Sequence, residues 1–310
     1  MRDMKKISVI LPCFNEQDNI RRMYDSLCEL MATEPAYEWQ ILIVDDGSTD
    51  RTAAIAKELI GGDQRVGMVS LSRNFGKENA LLAGLDHVEG DCAVIMDADL
   101  QHPPLVISKM LRCWEEGYED IYAERNDRGR ESLMRKWLTR TYYLLLQKLS
   151  KTDVLPNVGD FRLLDRKCID ALTRLRETQR YTKGLYCWIG FRKKSVTFDQ
   201  GSRTCGKSSF NYSRLINLAL EGITSYTTVP LRLSAVMGLI VSFTAFVYMC
   251  YIMIKTIVVG EPVQGFPTLM TAILFLGGIQ LISVGILGEY LSRVFNETKN
   301  RPPYIVREIV

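Results

Sequence analysis

The chain has 310 residues, enough for one large domain or two smaller ones. Its net charge of +3 excludes a strongly basic nucleic-acid binder. Eight cysteines without C-x-x-C spacing speak against a disulfide scaffold or zinc site, and only two histidines, His87 and His102, speak against a histidine metal cage or catalytic triad.

Ile7 to Leu11 reads as a short apolar strand, and Gln17 to Met31 as a helix with apolar Ile20, Met23, Leu27, Leu30 and Met31 on one face. Ile41 to Val44 is a second strand, closed by Asp45-Asp46-Gly47-Ser48-Thr49-Asp50. Arg51 to Ile60 is helical, and Gly61-Gly62 is expected to stop it. Val66 to Leu71 is a third strand, Asn79 to His87 a helix, Cys92 to Met96 a fourth strand and Pro104 to Glu116 a further helix. Strands alternating with helices predict an α/β fold with a mostly parallel sheet covered on both faces. Ligands of such sheets sit outside the carboxyl ends of the strands. Pro12-Cys13-Phe14-Asn15-Glu16, Asp45-Asp46 and Asp97-Ala98-Asp99 all fall at those ends.

The fourth strand ends in two carboxylates one residue apart. Extended backbone sends Asp97 and Asp99 to one side. Two hard oxygen ligands suit Mg²⁺ or Mn²⁺, and such an ion can hold a diphosphate; alternatively, the pair is a solvated turn. The place of a dinucleotide G-x-G-x-x-G holds Pro-Cys-Phe-Asn-Glu, which disfavours a nicotinamide or flavin enzyme. Gly201 to Ser208 echoes a P-loop in letters but has the wrong glycine spacing and opens no helix after a buried strand.

Ser132 to Ser150 interleaves Trp137, Tyr142 and Tyr143 with Arg135, Lys136, Arg140 and Lys148, a pattern suited to a membrane interface or to an ordinary surface helix. Asn211 to Thr228 is similar and leads to Pro230. Beyond it, 233–254 and 267–288 contain no charged residue, and each is long enough to cross a hydrocarbon core of roughly 30 Å. Two transmembrane helices are therefore expected, about 233–255 and 267–290. Arg232 precedes the first run, and Arg293, Lys299, Arg301 and Arg307 follow the second, while the connecting segment has Glu261 and no Lys or Arg. The positive-inside bias places the connection outside and both termini in the cytosol. Lys255 runs against this and is accommodated by snorkelling. The start of the chain shows no signal peptide.

Taken in order, PCFNEQ, VDDGSTD, LSRNFGKENALLAGL, MDADLQHPP, GDFRLLDR, RYTKGLYCWIG, GKSSFNY, TTVPLRL and GEYLSR resemble the membrane-anchored polyisoprenyl-phosphate glycosyltransferases of glycosyltransferase family two. The strings cover nearly the whole chain. The two C-terminal runs match the bactoprenol glucosyltransferases better than the dolichyl-phosphate mannose synthases. The resemblance implies a GT-A fold and an inverting transfer from a UDP-sugar to undecaprenyl phosphate in a bacterial plasma membrane, with glucose as the default sugar. It divides the chain into a cytosolic transferase domain over 1–210, a juxtamembrane helix over 211–230, two membrane helices within 231–295 and a cytosolic tail over 296–310. It implies that Pro12, Phe14, Glu16, Asp45 and Asp46 surround the nucleotide sugar, and that Asp97, Asp99 and Gln101 hold Mg²⁺ or Mn²⁺ on the diphosphate. Phe14 stands where the family often has Tyr and keeps the stacking face. Asp160, in Gly159-Asp160-Phe161-Arg162, matches the catalytic-loop aspartate, which orients or activates the acceptor; with Asp99 it forms the expected catalytic pair. A salt bridge to Arg162 or Arg166 is its structural alternative, as a helix N-cap is for the Asp45 to Asp50 segment. Arg125 is expected at the acceptor lipid phosphate, and Arg203 and Lys207 over the diphosphate. Arg73, Asn74 and Lys77 are expected near the site without an assigned role.

The rival readings are a processive polysaccharide synthase, which would carry Q-x-x-R-W and more spans, and a membrane scaffold or lipid-flipping partner with a degenerate transferase domain. Homo-oligomers are left open: Gly277-Gly278 and Gly285-x-x-Gly288 suit close helix packing within or between chains.

Overall fold

The computed structural model describes residues 4–125, 158–178, 180–198, 229–259 and 265–310. The chain divides into two units: residues 1–211 together with 301–310, and residues 212–300. The segments expected as interfacial helices, 132–150 and 211–228, lie outside the described residues.

The first unit is built on one eight-stranded sheet. Its strands are β1 (Lys6–Cys13), β2 (Glu38–Asp45), β3 (Val66–Leu71), β4 (Cys92–Ile95), β5 (Asp120–Arg125), β6 (Val158–Asp165), β7 (Lys193–Phe198) and β8 (Val306–Ile309). The helices of this unit are α1 (Ile20–Thr33), α2 (Thr52–Gly62), α3 (Lys77–His87), α4 (Val106–Glu115), α5 (Arg166–Arg174) and α6 (Thr182–Trp188). The strand order is β7-β5-β6-β4-β1-β2-β3-β8. β1 pairs in parallel with both β2 and β4, and β2 with β3. β6 is antiparallel to both β4 and β5, and β8 is antiparallel to β3. The result is the GT-A-like, mostly parallel sheet expected from the alternating pattern.

The central strands are apolar on both faces because both faces are covered. One core layer joins Ile7, Val9, Leu11, Ile41 and Ile43 to Met23, Leu27, Ile107 and Met110 of α1 and α4. The other joins Ile10, Leu42, Val44 and Ile95 to Ala80, Leu81, Ile169 and Tyr186 of α3, α5 and α6. Gly84 lets α3 lie close on the sheet, since a Cβ there would meet Ile10 Cγ2 at 2.5 Å. α2 runs through Gly61 and Gly62 rather than stopping before them. There its backbone continues to its last N–H bond, Asp63 to Leu59, at 3.0 Å.

The C-terminal segment differs most from expectation. Instead of a free tail, it returns to the sheet as β8, pairing Val69 with Ile309 and Ser70 with Glu308. Val310 exchanges backbone hydrogen bonds with Met68 at 2.8 and 2.9 Å, and Lys57 meets Glu308 at 2.6 Å. A covered edge no longer offers its N–H and C=O groups to other chains.

The second unit holds α7 (Val229–Val259) and α8 (Phe266–Thr298). Phe275–Thr298 is long and apolar enough to cross a membrane, while α7 carries a shorter apolar stretch, Ser234–Tyr248. Among the described residues one helix thus meets the length and hydropathy of a span by itself, where two were expected. Phe243, Val258, Leu281 and Val284 are exposed. The seven described cysteines are all free thiols.

Candidate functional site

β1 has β2 on one side and β4 on the other, so the chain's path over the sheet reverses there. Crevices open at such switch points, outside the strands' carboxyl ends. A cavity of about 340 Å³ lies at this place. Its walls come from the loop after β1 (Pro12, Phe14, Glu16), from Asp46 after β2, from Asn74, Gly76 and Lys77 at the start of α3, and from Asp97 and Asp99 after β4.

Hydrogen bonds fasten the first two of these loops together. Asn15 N–H donates to Ser48 Oγ at 3.0 Å, Glu16 N–H to Thr52 Oγ1 at 2.8 Å, and Thr49 N–H to Asn15 Oδ1 at 2.9 Å. Asp50 accepts from Thr52 N–H at 2.9 Å just ahead of α2, whose N-cap position is Arg51 and carries no side-chain cap bond. Gly47 has φ +67°, and a Cβ there would stand 2.4 Å from the Arg73 carbonyl carbon. Only glycine fits that backbone and that space. Phe14 leaves 44% of its surface exposed at the cavity, an unusual exposure for a large apolar ring and a ready stacking face.

Asp45 and Asp46 are spent differently. Asp45 is 2% exposed and accepts from Ser48 N–H at 3.0 Å and from Ser70 Oγ at 2.9 Å. It fixes the turn and does not line the cavity, which corrects the nucleotide-contact expectation for this residue. Asp46 does line the cavity, and it accepts from the Phe75 and Gly76 amides at 2.7 and 3.0 Å. Burial raises its pKa despite those two donors, and burial likewise raises that of Glu16.

The turn after β4 places Leu100 at φ +61°, a conformation that costs a non-glycine residue about 1 kcal/mol or more. Asp99 accepts from Gln101 N–H at 3.1 Å across it. Asp97 and Asp99 reach the cavity, whereas Gln101 is only 8% exposed and does not line it. Gln101 is thus a buried residue under the turn, not a wall residue beside the two carboxylates.

Asp160 reaches the same cluster through strand register. β6 runs against β4 with Arg162 opposite Ile95. The pairing ends there, and Asp160 and Asp97 are each two residues beyond that last pair, at the same end of the two strands. Lys77 joins them: its Nζ lies 2.6 Å from Asp97 Oδ1 and 2.8 Å from Asp160 Oδ2. Burial acts to lower the Lys77 pKa, but the Asp97 and Asp160 charges outweigh it and raise the net value. Burial acts to raise the pKa of Asp160, but Lys77 and then Lys183 overcome it and hold the carboxyl below its ordinary value. Asp160 Oδ1 is buried with no hydrogen-bond partner among the described residues.

Neither arginine suggested as an alternative partner holds Asp160. Arg162 pairs with Asp120 at 3.0 Å and lies 3.5 Å over the Tyr186 ring, and Arg166 donates to Gly90 O at 2.9 Å through Nε. Lys77 is the functional residue that sequence reasoning left without a role. Its signal was present in Gly76-Lys77-Glu78, a positive-φ glycine (φ +92°) opening a helix. Glu78 turns the other way. It accepts from Thr182 N–H at 3.1 Å and from the Thr182 hydroxyl, fastening the start of α6. Arg73 stacks its guanidinium over Phe75 at 4.1 Å. The side chain of Arg125, and Arg203 and Lys207 altogether, lie outside the described residues.

The donor set suits a hard dication, with Asp97 and Asp99 together at the turn after β4. Among the described residues no three His, Cys, Asp or Glu side chains group to hold a metal ion. Magnesium-like ions are commonly held by one or two carboxylates, with the remaining oxygens coming from water and substrate phosphates. Asp97 and Asp99 fit that arrangement.

Residues 8–173 match the profile of glycosyl transferase family 2, and residues 229–294 that of the GtrB C-terminal hairpin. A bactoprenol glucosyl transferase of Shigella phage SfII is 42% identical over 303 residues, spanning 98% of this chain and 98% of that protein. A putative glycosyltransferase, CsbB, of Bacillus subtilis is 40% identical over 97% of this chain and 91% of its own length. Among solved structures, glucosyl-3-phosphoglycerate synthase from Mycobacterium tuberculosis, crystallised with Mn²⁺, UDP-glucose and phosphoglyceric acid, aligns over 72% of this chain and 78% of its own at 21% identity, with a TM-score of 0.49.

Proposed function

The chain belongs to glycosyltransferase family 2, and from that premise we propose that it moves glucose from UDP-glucose to undecaprenyl phosphate, inverting the anomeric carbon. The observation that carries this reading is the near full-length identity to a bactoprenol glucosyl transferase, hairpin included.

An acceptor phosphate oxygen forms the new bond to C1 of the sugar. The bond from C1 to the β-phosphate oxygen breaks, and its electron pair leaves on UDP. A phosphate monoester has a second pKa near 6, so the nucleophile is already ionised at neutral pH. Little general-base help is needed, and positioning with charge stabilisation supplies most of the effect. Phe14 stacks the base, and Glu16 and Asp46 accept from ribose or base donors. Asp97 and Asp99 would hold Mg²⁺ or Mn²⁺, and the ion would stabilise charge on the departing UDP. Asp160, kept ionised by Lys77, is a weak base at neutral pH and orients a sugar or acceptor group through its unpartnered Oδ1. Arg125 is assigned to the acceptor phosphate, and Arg203 and Lys207 to the donor diphosphate. The helices α7 and α8 form a two-span anchor in the plasma membrane, with both ends of the chain in the cytosol.

Purified full-length protein, given undecaprenyl phosphate, radiolabelled UDP-glucose and either cation, is expected to carry label into the organic phase as a lipid-linked monosaccharide. Asp97→Ala is expected to lower turnover at least about a hundredfold while the protein still inserts. Polymer as the product, or no transfer from UDP-glucose, overturns the reading. Near-normal turnover of Asp97→Ala overturns the metal role alone.

A further inference from the structure

Lys77 holds Asp97 and Asp160 at once, and this has a consequence for how a cation enters. We propose that Lys77 is a positioning residue that serves as resident counter-ion of Asp97 until a nucleoside diphosphate replaces it, so that the cation binds together with the diphosphate and not before it. The inference rests on reading Asp97 and Asp99 as cation ligands.

The geometry sets up a competition. Asp97 Oδ1 already has an ammonium at 2.6 Å. A dication bound to the same carboxylate would lie within a few ångströms of that positive charge, where repulsion between like charges is strong even at an effective dielectric of about 20. The protein offers little to offset this, because among the described residues no three His, Cys, Asp or Glu side chains converge to hold a metal ion, the carboxylates of Glu16 and Asp46 on other walls of the cavity included. In the absence of other ligands the site is therefore a weak one.

A diphosphate changes both terms. It contributes the oxygens that the protein lacks. It also gives Lys77 a new partner, since an ammonium binds phosphate as a point charge. Lys77 is well placed for the exchange. It lines the cavity, its side chain is 42% exposed, and it stands in the first turn of α3 behind Gly76. It need release only Asp97. Its second contact, to Asp160 Oδ2 at 2.8 Å, can stay, so the buried Asp160 is not left without a counter-charge. The exchange thus frees a cation ligand only when the diphosphate is present.

Binding of Mn²⁺ to the full-length protein in detergent, followed by the loss of the free-ion paramagnetic resonance signal, tests this without turnover. The wild type is expected to bind Mn²⁺ weakly alone and at least about tenfold more tightly with UDP. By linkage, Mn²⁺ must tighten UDP by the same factor. Lys77→Met is expected to bind Mn²⁺ alone about tenfold more tightly than wild type and to lose most of the coupling to UDP. Lys77→Arg, which keeps the charge, should restore weak binding and coupling. Lys77→Gln provides a second neutral variant and should behave as Lys77→Met. Equal or weaker Mn²⁺ binding by both neutral variants overturns the proposal, as does a wild type that binds Mn²⁺ equally well with and without UDP. Asp97→Asn separates the two readings: unchanged Mn²⁺ binding in that variant overturns the cation-ligand assignment itself.

Discussion

At the residue scale, the exposure of Phe14 bears most directly on the proposed function. A large apolar ring that keeps 44% of its surface in contact with solvent gains little for the fold from being there. In the proposed function its location at the cavity gives it a use, because stacking of a base on an aromatic ring is worth about 1–3 kcal/mol. Phe14→Ala is therefore expected to raise KM for the UDP-sugar about tenfold with kcat and thermal stability little changed, whereas Phe14→Tyr keeps the ring and stays near wild type. Steady-state kinetics on both variants check this, and an unchanged KM in Phe14→Ala removes the ring from the donor site. Phe14, Asp97 and Asp99 were legible in the sequence because local rules place them: they follow apolar runs, at strand ends. Lys77 was not, because its importance depends on a carboxylate 83 positions away, brought near by β-sheet register. Asp45 was misplaced for a related reason. Which of two adjacent carboxylates faces the cavity depends on Ser48 and Ser70, and Ser70 belongs to another strand.

At the scale of elements, the alternating pattern predicted β1 to β4 and α1 to α4 with boundaries shifted by a few residues. It did not predict that β6 enters the sheet antiparallel, since a short strand pattern such as Phe161-Arg162-Leu163-Leu164 carries no direction. That direction brings Asp160 to Asp97, so the site depends on the part of the topology that the sequence leaves open. α3 then secures it from two consecutive residues, Lys77 to the acids and Glu78 to α6. Glu78 makes a pH test of this joint. Burial holds its pKa above the ordinary 4.5, with hydrogen bonds from Thr182 opposing the shift. The folded chain consequently binds this proton more tightly than the unfolded chain, and the ionised buried carboxylate lowers stability as pH rises through the interval between the unfolded and folded values. Glu78→Gln keeps an acceptor for Thr182 and carries no charge. The difference in melting temperature between wild type and Glu78→Gln is expected to move in favour of wild type as pH falls from about 8 to about 5. A difference independent of pH would mean that Glu78 titrates alike in both states.

For the whole molecule, the returning strand β8 constrains the anchor. Residues up to 211 and from 301 onward share one unit, and β8 hydrogen-bonds to β3 within it. A folded sheet lies on one side of a membrane, so the chain between those points must cross an even number of times. A single span through Phe275–Thr298 is incompatible with that sheet: if α8 crosses, a second crossing is required, and among the described residues α7 is the helix that can supply it. Leu239, Phe243, Phe246 and Val258 are exposed along α7, as suits a lipid-facing helix. The charges agree: Arg293, Lys299, Arg301 and Arg307 lie on the side of the tail, and the connection after α7 contributes only Glu261. The prediction follows that a cysteine at position 261, in a background with the eight native cysteines replaced, is labelled by a membrane-impermeant maleimide in intact cells. A cysteine replacing Glu308, in β8, should be labelled only after lysis. Labelling at 261 that also requires lysis would show that the hairpin does not cross, and the anchor would then have to be an in-plane one. Labelling of both positions in intact cells would place the catalytic sheet outside, away from any cytosolic pool of nucleotide sugar.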